Sequence, residues 1–481
     1  MLTSRQYESV GLKFVLDRLE CHSYYGTDEI RSLNYKVHDG VPLAELREDL
    51  QEVFANMNGL LGLTDRQTAA LQECLHRFKN INGCIRKFEG SYLLEVDLFE
   101  LKGFMLAHEQ FRFLWNGLPV RLCGLSFTDL TLPLDILDKN GQRTAPFHIS
   151  HEDKPALMQA RLEKEKIENM IHKHGLSEEL TAKRSVWAQK EDELERQALK
   201  ELTDKLRPYA AEFLTNAKNI GRLDFLLAKA VLAKETGAVC PGIMYKASSQ
   251  SCICPDIAQE TIRFVNMWNP YTKDELIKKG RDFTKISIEL PPGCAVITGA
   301  NMGGKSIAIK TVLLNVALAN MGFFVFAEEA TLPLFDDLYL VEEENGDNFL
   351  SSFGAEILQI NRIVKKIEDE RIFIALDEPA RATNPYEGAK IACGLVAFLE
   401  KQKSTALVST HYDDVHREAG THYQTAGFEA NVGANIDELK NSVNYELKRM
   451  DKNAKVPACA IKICEILGLH APLLEQIRRL G

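Results

Sequence analysis

Residues 294–320 read CAVITGANMGGKSIAIKTVLLNVALAN. A short strand-like apolar run passes through a glycine-rich turn into a helix-like pattern, with a lysine and a serine at the junction. Gly299, Gly304, Lys305 and Ser306 satisfy the spacing G-x-x-x-x-G-K-[ST]. Phosphate explains that spacing. Glycines let backbone N–H groups close around phosphate oxygens, and the helix start adds partial positive charge. Lys305 then reaches the β and γ phosphates, and the Ser306 hydroxyl is placed to ligate Mg²⁺. A chance glycine turn would meet the bare pattern in about a few per cent of chains of this length. Strand before and helix after make that reading far rarer.

A phosphate loop of this kind calls for a second apolar strand ending in acid, and RIFIALDEPA (371–380) supplies it. Ile372 to Leu376 form a buried-strand run that ends in Asp377 and Glu378. Asp377 is suited to hold Mg²⁺ through water, and Glu378 to orient and polarise an attacking water. Further on, TALVSTHYDD (405–414) is another apolar strand, ending at His411. A side chain there, at the carboxyl edge of a sheet, can sense a γ-phosphate. A lone histidine is as readily structural, and spacing alone leaves the two readings even.

From about residue 241 onward strand-like and helix-like segments alternate, which predicts an α/β domain with a mainly parallel sheet over 241–481. Residues 1–240 read as a helical domain. Amphipathic helix dominates to about 117, and Asn140-Gly141 between short β-prone runs predicts a small hairpin at about 125–150. From about 152 to 207 Glu, Lys, Leu, Ala and Gln prevail, predicting two long exposed helices broken near HKHGLS (172–177). Acidic and basic side chains nearly balance along this arm, which suits a solvated face or a protein contact better than a phosphate-gripping surface. A last apolar helix over 219–237 returns to the core.

The 481 residues are 45% hydrophobic and 26% charged, enough for a large core in two to four domains. No apolar run reaches the roughly 18 residues of a membrane span, and MLTSRQYESVGLKF lacks a secretory pattern, so a cytoplasmic location is expected. The formal net charge of -10 offers no global attraction for nucleic acid. Eleven cysteines without paired spacing read as reduced thiols, and the isolated Cys252-x-Cys254 is more readily incidental than a metal site.

TGANMGGKS resembles the nucleotide loop of the MutS family, usually TGPNMGGKST, with Ala300 in place of proline and Ile307 in place of threonine. FVFAEEATLPLFDDLYLV, SSFGAEI (351–357), LDEPARATNPYEG, STHY and ACAIKICEILGL are similar to successive family segments, densely from about 286 to 470. VLDRLECHSYYGTDEIRSL and IGRLDFLLAKAVLA look like its lever and core helices. The resemblance implies an ABC-like ATPase domain following a helical lever, with ATP and Mg²⁺ as ligands. Gly299, Asn301, Met302, Gly303, Gly304, Lys305, Ser306 and Ile307 would contact nucleotide. Ser306 and Asp377 would hold the metal, and Glu378 and His411 would be catalytic. It also implies a homodimer, or a dimer with a MutS-like paralogue, that sandwiches each nucleotide. Ser351 would then reach the γ-phosphate on the opposite subunit, with Arg381, Asn384 and Glu387 in the segment crossing the seam.

No mismatch-reading or connector segment is recognised before the lever-like helices, and the Phe-x-Glu at Phe326 lies inside the α/β half. No nuclease-like segment follows it. A short form is therefore expected. The seam segment also departs from the family, with Pro379, Ala380, Ala382 and Pro385, which should narrow its conformational range. Two function classes remain. One is a dimeric ATP-driven clamp on double-stranded DNA, indifferent to mismatches, a partner that charge does not favour. The other is an ATP-dependent protein remodeller, similar to MutS-related ATPases that reactivate cobalamin-dependent enzymes such as lysine 5,6-aminomutase. An ABC transporter subunit ranks last, since LSGGQ is absent from the sequence.

Overall fold

A computed structural model describes residues 2–33, 43–144, 146–147, 154–244, 260–299, 304–342, 352–428, 443–451, 461, 464–465 and 468–480. Ala300, Asn301, Met302, Gly303, Ser351, Cys252 and Cys254 lie outside them.

Ten strands occur among the described residues: β1 (Gly242–Ile243), β2 (Ile262–Met267), β3 (Ile286–Leu290), β4 (Gly293–Thr298), β5 (Glu329–Leu332), β6 (Asp337–Val341), β7 (Ile372–Asp377), β8 (Thr405–Ser409), β9 (Thr421–Phe428) and β10 (Val443–Met450). They form a four-stranded mixed sheet, order β1-β5-β2-β3, and a six-stranded sheet, order β10-β9-β4-β8-β7-β6. In the larger sheet only the β10 pairing with β9 is antiparallel. β4, β7 and β8 read as unbroken apolar runs because both faces of a parallel sheet are covered, whereas β3 (ISIEL) alternates buried and exposed. Ile363, Val396 and Leu399, from helices Ser352–Lys366 and Pro385–Leu399, with Ile367 just past the first, close over Ile372, Ile374, Leu376, Ala406 and Val408. The helix Lys305–Asn320 is buried along nearly its whole length, which its lack of a polar face requires. Among its buried polar side chains Asn315 is satisfied: the amide donates to Trp268 O and Thr311 O, and its oxygen accepts the Phe326 N–H at 2.7 Å.

The chain separates into two compact units, one comprising Met1–Leu19, Leu33–Asn58 and Lys229–Gly481, the other Glu20–Ser32 and Gly59–Ala228. The N-terminal segments of the first unit, read from sequence as part of the 1–240 helical domain, thus pack with the α/β core. Val10, Leu12 and Val15 are buried there. Gln6 Nε2 donates to Leu340 O at 2.9 Å, Asn269 Nδ2 donates to Val10 O at 2.8 Å, and Phe54 lies against Phe324.

The second unit is helical. Phe78, Phe104 and Phe111 stack edge-on at its centre, and the Tyr25 hydroxyl accepts the Ile81 N–H at 2.9 Å. The expected hairpin near 125–150 is not formed among the described residues: the segment holds the helix Thr131–Leu137. Leu130, Leu134 and Leu137 are buried at helical spacing, and Asp129 Oδ1 accepts the Thr131 N–H at 2.8 Å. Asn140-Gly141 does make a turn, but one that closes on Asp138, which accepts the Arg143 N–H and pairs with buried Lys102 at 3.1 Å. The arm segment forms helices Pro155–His174 and Glu178–Leu206, parted at Gly175 (φ +84°), with Ser177 capping the second. Arg161 with Glu191 and Glu195, Lys164 with Glu191, and Arg184 with Glu168 bridge the two helices. Among the described residues no helix is long and apolar enough to cross a membrane.

His108 lies among these aromatic rings at 1% exposure. Burial, aided by the Arg112 charge and opposed by Asn216 and Asp129, lowers its pKa from 6.5 to about 4. The unfolded chain therefore binds the extra proton between those values, so this contribution to stability is complete above about pH 6.5 and is lost as pH falls toward 4, by about 3 kcal/mol. Denaturant unfolding followed from pH 7 to 4 should show this slope, and His108→Leu should flatten it; an identical slope in the variant would assign the acid sensitivity elsewhere.

Candidate functional site

Parallel pairing sets Ile297, Ser409 and Asp377 level across β4, β8 and β7. The residues that follow them leave the sheet together at its carboxyl edge, the side where open α/β sheets take ligands. Three of the sequence motifs thereby converge.

Gly299 follows β4 with φ +133°, and a Cβ there would stand 2.0 Å from Thr425 Oγ1, so no other residue fits without displacement. Gly304 (φ +85°) leads into the helix that begins with Lys305. The first amides of that helix have no carbonyl partner within it and carry the positive end of its dipole. Lys305, only 4% exposed, donates from Nζ to Gly299 O at 2.8 Å and lies 3.4 Å from Glu378 Oε1. Its ammonium thus links the residue after β4 to the acid after β7. Ser306 is exposed beside it and Ile307 is half-buried.

On the facing strand Asp377 Oδ1 accepts the Ser409 hydroxyl at 2.6 Å, and the same Oγ accepts the Glu378 N–H at 2.9 Å. Glu378 itself adopts φ +53°, which turns its carboxylate back over the sheet edge toward Lys305. Arg381 Nη1 reaches Glu378 Oε2 at 3.0 Å, and His411 Nδ1 stands 4.0 Å from the same oxygen. Glu378 is therefore the hub of the site, with three basic groups around one carboxylate. Arg381, Asn384 and Glu387 are exposed on the segment that follows; Asn384 caps the helix Pro385–Leu399, its oxygen accepting the Tyr386 N–H at 2.9 Å. Asn301, Met302, Gly303 and Ser351 lie outside the described residues.

Reading from sequence missed Ser409, the hydroxyl that ties the two acids together. Part of its signal was available, a serine ending a buried strand; its place level with Asp377 is set by the sheet register. It also missed the Thr298 hydroxyl bonded to His422 Nε2 at 2.8 Å under the loop, for which no local pattern exists.

The donor set fits a divalent cation with phosphate. Ser306 and Asp377 offer the hard oxygens that Mg²⁺ takes, while Lys305 and the helix start offer the positive field an anion needs. Fold and site together define a mixed helical and α/β protein in which Lys305, Asp377, Glu378, Arg381 and His411 gather at a sheet's carboxyl edge. The family model described as MutS domain V matches residues 295–480, which contain every residue of this site. Endonuclease MutS2 of Thermotoga neapolitana is 32% identical over 285 residues, 58% of this chain and 34% of that protein. Endonuclease MutS2 of Streptococcus sanguinis is 31% identical over 244 residues, 50% of this chain and 28% of the relative, and that of Latilactobacillus sakei is 32% identical over 235 residues, 48% and 27%. The chain spans about a third or less of the length of these curated relatives. Residues 295–480 thus match the MutS domain V family, and the chain is similar to MutS2 proteins over about half its length.

Proposed function

We propose that this chain is a MutS-type ATPase that binds ATP with Mg²⁺ on the loop 299–307 and hydrolyses it with Glu378. The observation that carries the reading is Lys305, held at the helix start between Gly299 O and Glu378. A γ-phosphate arriving at the loop takes over the lysine. Glu378, released from that pair, orients a water for attack, and His411 at the same edge contacts the phosphate it leaves. Mg²⁺, held by Ser306 and by Asp377 through water, would neutralise charge on the phosphates. Lys305→Ala should weaken ATP binding at least about 100-fold, whereas Glu378→Gln should keep binding and lose turnover by about 100-fold or more. Equal loss of binding in both, by calorimetry with ATP and Mg²⁺, would refute these roles.

In this reading the protein works as a dimer, with itself or a MutS-like paralogue, and Ser351 completes the site of the opposite subunit. Mixing Ser351→Ala protein with Lys305→Ala protein should then restore activity, because each mixed dimer keeps one intact composite site; no recovery at any ratio would place Ser351 outside the shared site.

The arm bears on the partner. Lys154, Arg161, Lys164, Lys166, Lys183, Arg184, Arg196 and Arg207 all lie in ion pairs with carboxylates of the arm itself. Cations already matched in this way release few counterions from DNA, so the clamp on double-stranded DNA is proposed as a weak one, without mismatch preference. A second reading compatible with this pairing is an ATP-driven remodeller of a protein client such as a cobalamin-dependent aminomutase. Six phosphate contacts would cost about 10³-fold in affinity between 50 and 200 mM salt. Fluorescence anisotropy of a labelled duplex, with ATP, should show binding largely gone at physiological salt; tight, salt-resistant binding to mismatched duplex would restore a repair role.

A further inference from the structure

Ala380 occupies a conformation that its side chain disfavours. Its φ is +61° and it is fully buried; Glu378, two residues earlier, has φ +53°. Left-handed backbone costs an L-residue free energy and glycine almost none, so two such residues around Pro379 persist only where neighbours hold them. The neighbours are specific. The Ala380 N–H donates to Glu356 Oε1 at 2.8 Å, and the Ala380 carbonyl accepts the Tyr412 hydroxyl at 2.9 Å. Ahead of the proline, the Glu378 N–H is held by Ser409. Pro379 has a fixed φ and no N–H, so it passes the constraint on without absorbing it.

Room for this arrangement comes from Gly388, where a Cβ would lie 2.3 Å from the Tyr412 hydroxyl and 2.8 Å from Ala380 O. Burial first, and then the charges of Glu356 and Glu378 against that of Arg381, raise the pKa of the Tyr412 hydroxyl, so it remains a donor. The bond from Ala380 to Glu356 is charge-assisted and anchors the loop to the helix Ser352–Lys366.

We propose that Glu356, with Tyr412, clamps Ala380 in its left-handed conformation and thereby aims the Glu378 carboxylate, making Glu356 a positioning residue of the hydrolytic site. The proposal rests on the ATPase reading for its kinetic consequence but not for the clamp itself. Its logic is specific to this loop. With glycine at 380 the conformation would need no clamp, so Ala380→Gly should make Glu356 dispensable.

The test uses the full chain in five forms: the unaltered protein, Glu356→Ala, Glu356→Gln, Ala380→Gly, and Glu356→Ala with Ala380→Gly. Hydrogen–deuterium exchange without nucleotide should show the Ala380 amide exchanging about 10-fold faster or more in Glu356→Ala, while the β7 amides 372–376 keep their protection. ATP turnover should fall about 10-fold or more in kcat with KM within about two-fold, Glu356→Gln should keep most of the rate, and the double variant should match Ala380→Gly within about three-fold. Unchanged Ala380 exchange in Glu356→Ala overturns the clamp. So does a double variant no faster than Glu356→Ala, or a rise in KM that accounts for the loss. If Glu356→Ala also loses β7 protection, Tyr412→Phe decides, since it removes one hydroxyl alone: unaltered exchange and turnover there defeat the proposal. An unaltered protein that turns over ATP no faster than Glu378→Gln defeats the ATPase reading instead, and the exchange result still decides the clamp.

Discussion

The hydrogen-bonded register that sets Ile297, Ser409 and Asp377 level determines where every charged group of the site emerges. Strand side chains alternate faces, so a slip of one residue in β7 would send Asp377 to the other face, away from the Ser409 hydroxyl it accepts. Nothing in the loop could compensate. The unbroken burial of β4, β7 and β8 therefore does more than fill a core: with helices packed over the sheet, a misregistered strand has no low-energy alternative. The ion pair between Lys305 and Glu378, the turn at Glu378 and the approach of His411 all follow from that alignment.

What was legible in the sequence follows from range. β4, β7 and β8 announce themselves because a fully buried strand needs consecutive apolar residues, and the helix starting at Lys305 because a long apolar run follows a glycine-rich turn. The arm helices and their break at Gly175 are legible for the same local reasons. The hairpin was misread because Asn140-Gly141 is a turn signal whichever elements it joins, and the decisive contact, Asp138 with Lys102, lies thirty-six residues away. Glu356 and Tyr412 were invisible as partners of Ala380, since separations of 24 and 32 residues leave no periodic trace. Proline and alanine in the seam segment were expected to restrict the backbone. Ala380 takes the conformation a glycine would take, held by the side chains of Glu356 and Tyr412.

The arm has a mechanical consequence. Its longer helix is anchored near its end, where Ala198, Leu199, Thr203 and Leu206 are buried and the Thr203 hydroxyl accepts the Leu93 N–H. The stretch from Glu178 to Ala198 then extends about 30 Å at the α-helical rise. Cross-braced to its neighbour by Arg161, Lys164 and Arg184, such a rod bends little under load. A tilt of only about 10° at its base would carry the tip about 5 Å, roughly one helical turn. The surface bearing Leu176 and Val186 would therefore be displaced by a molecular-scale distance by a change at the base no larger than side chains can accommodate by repacking.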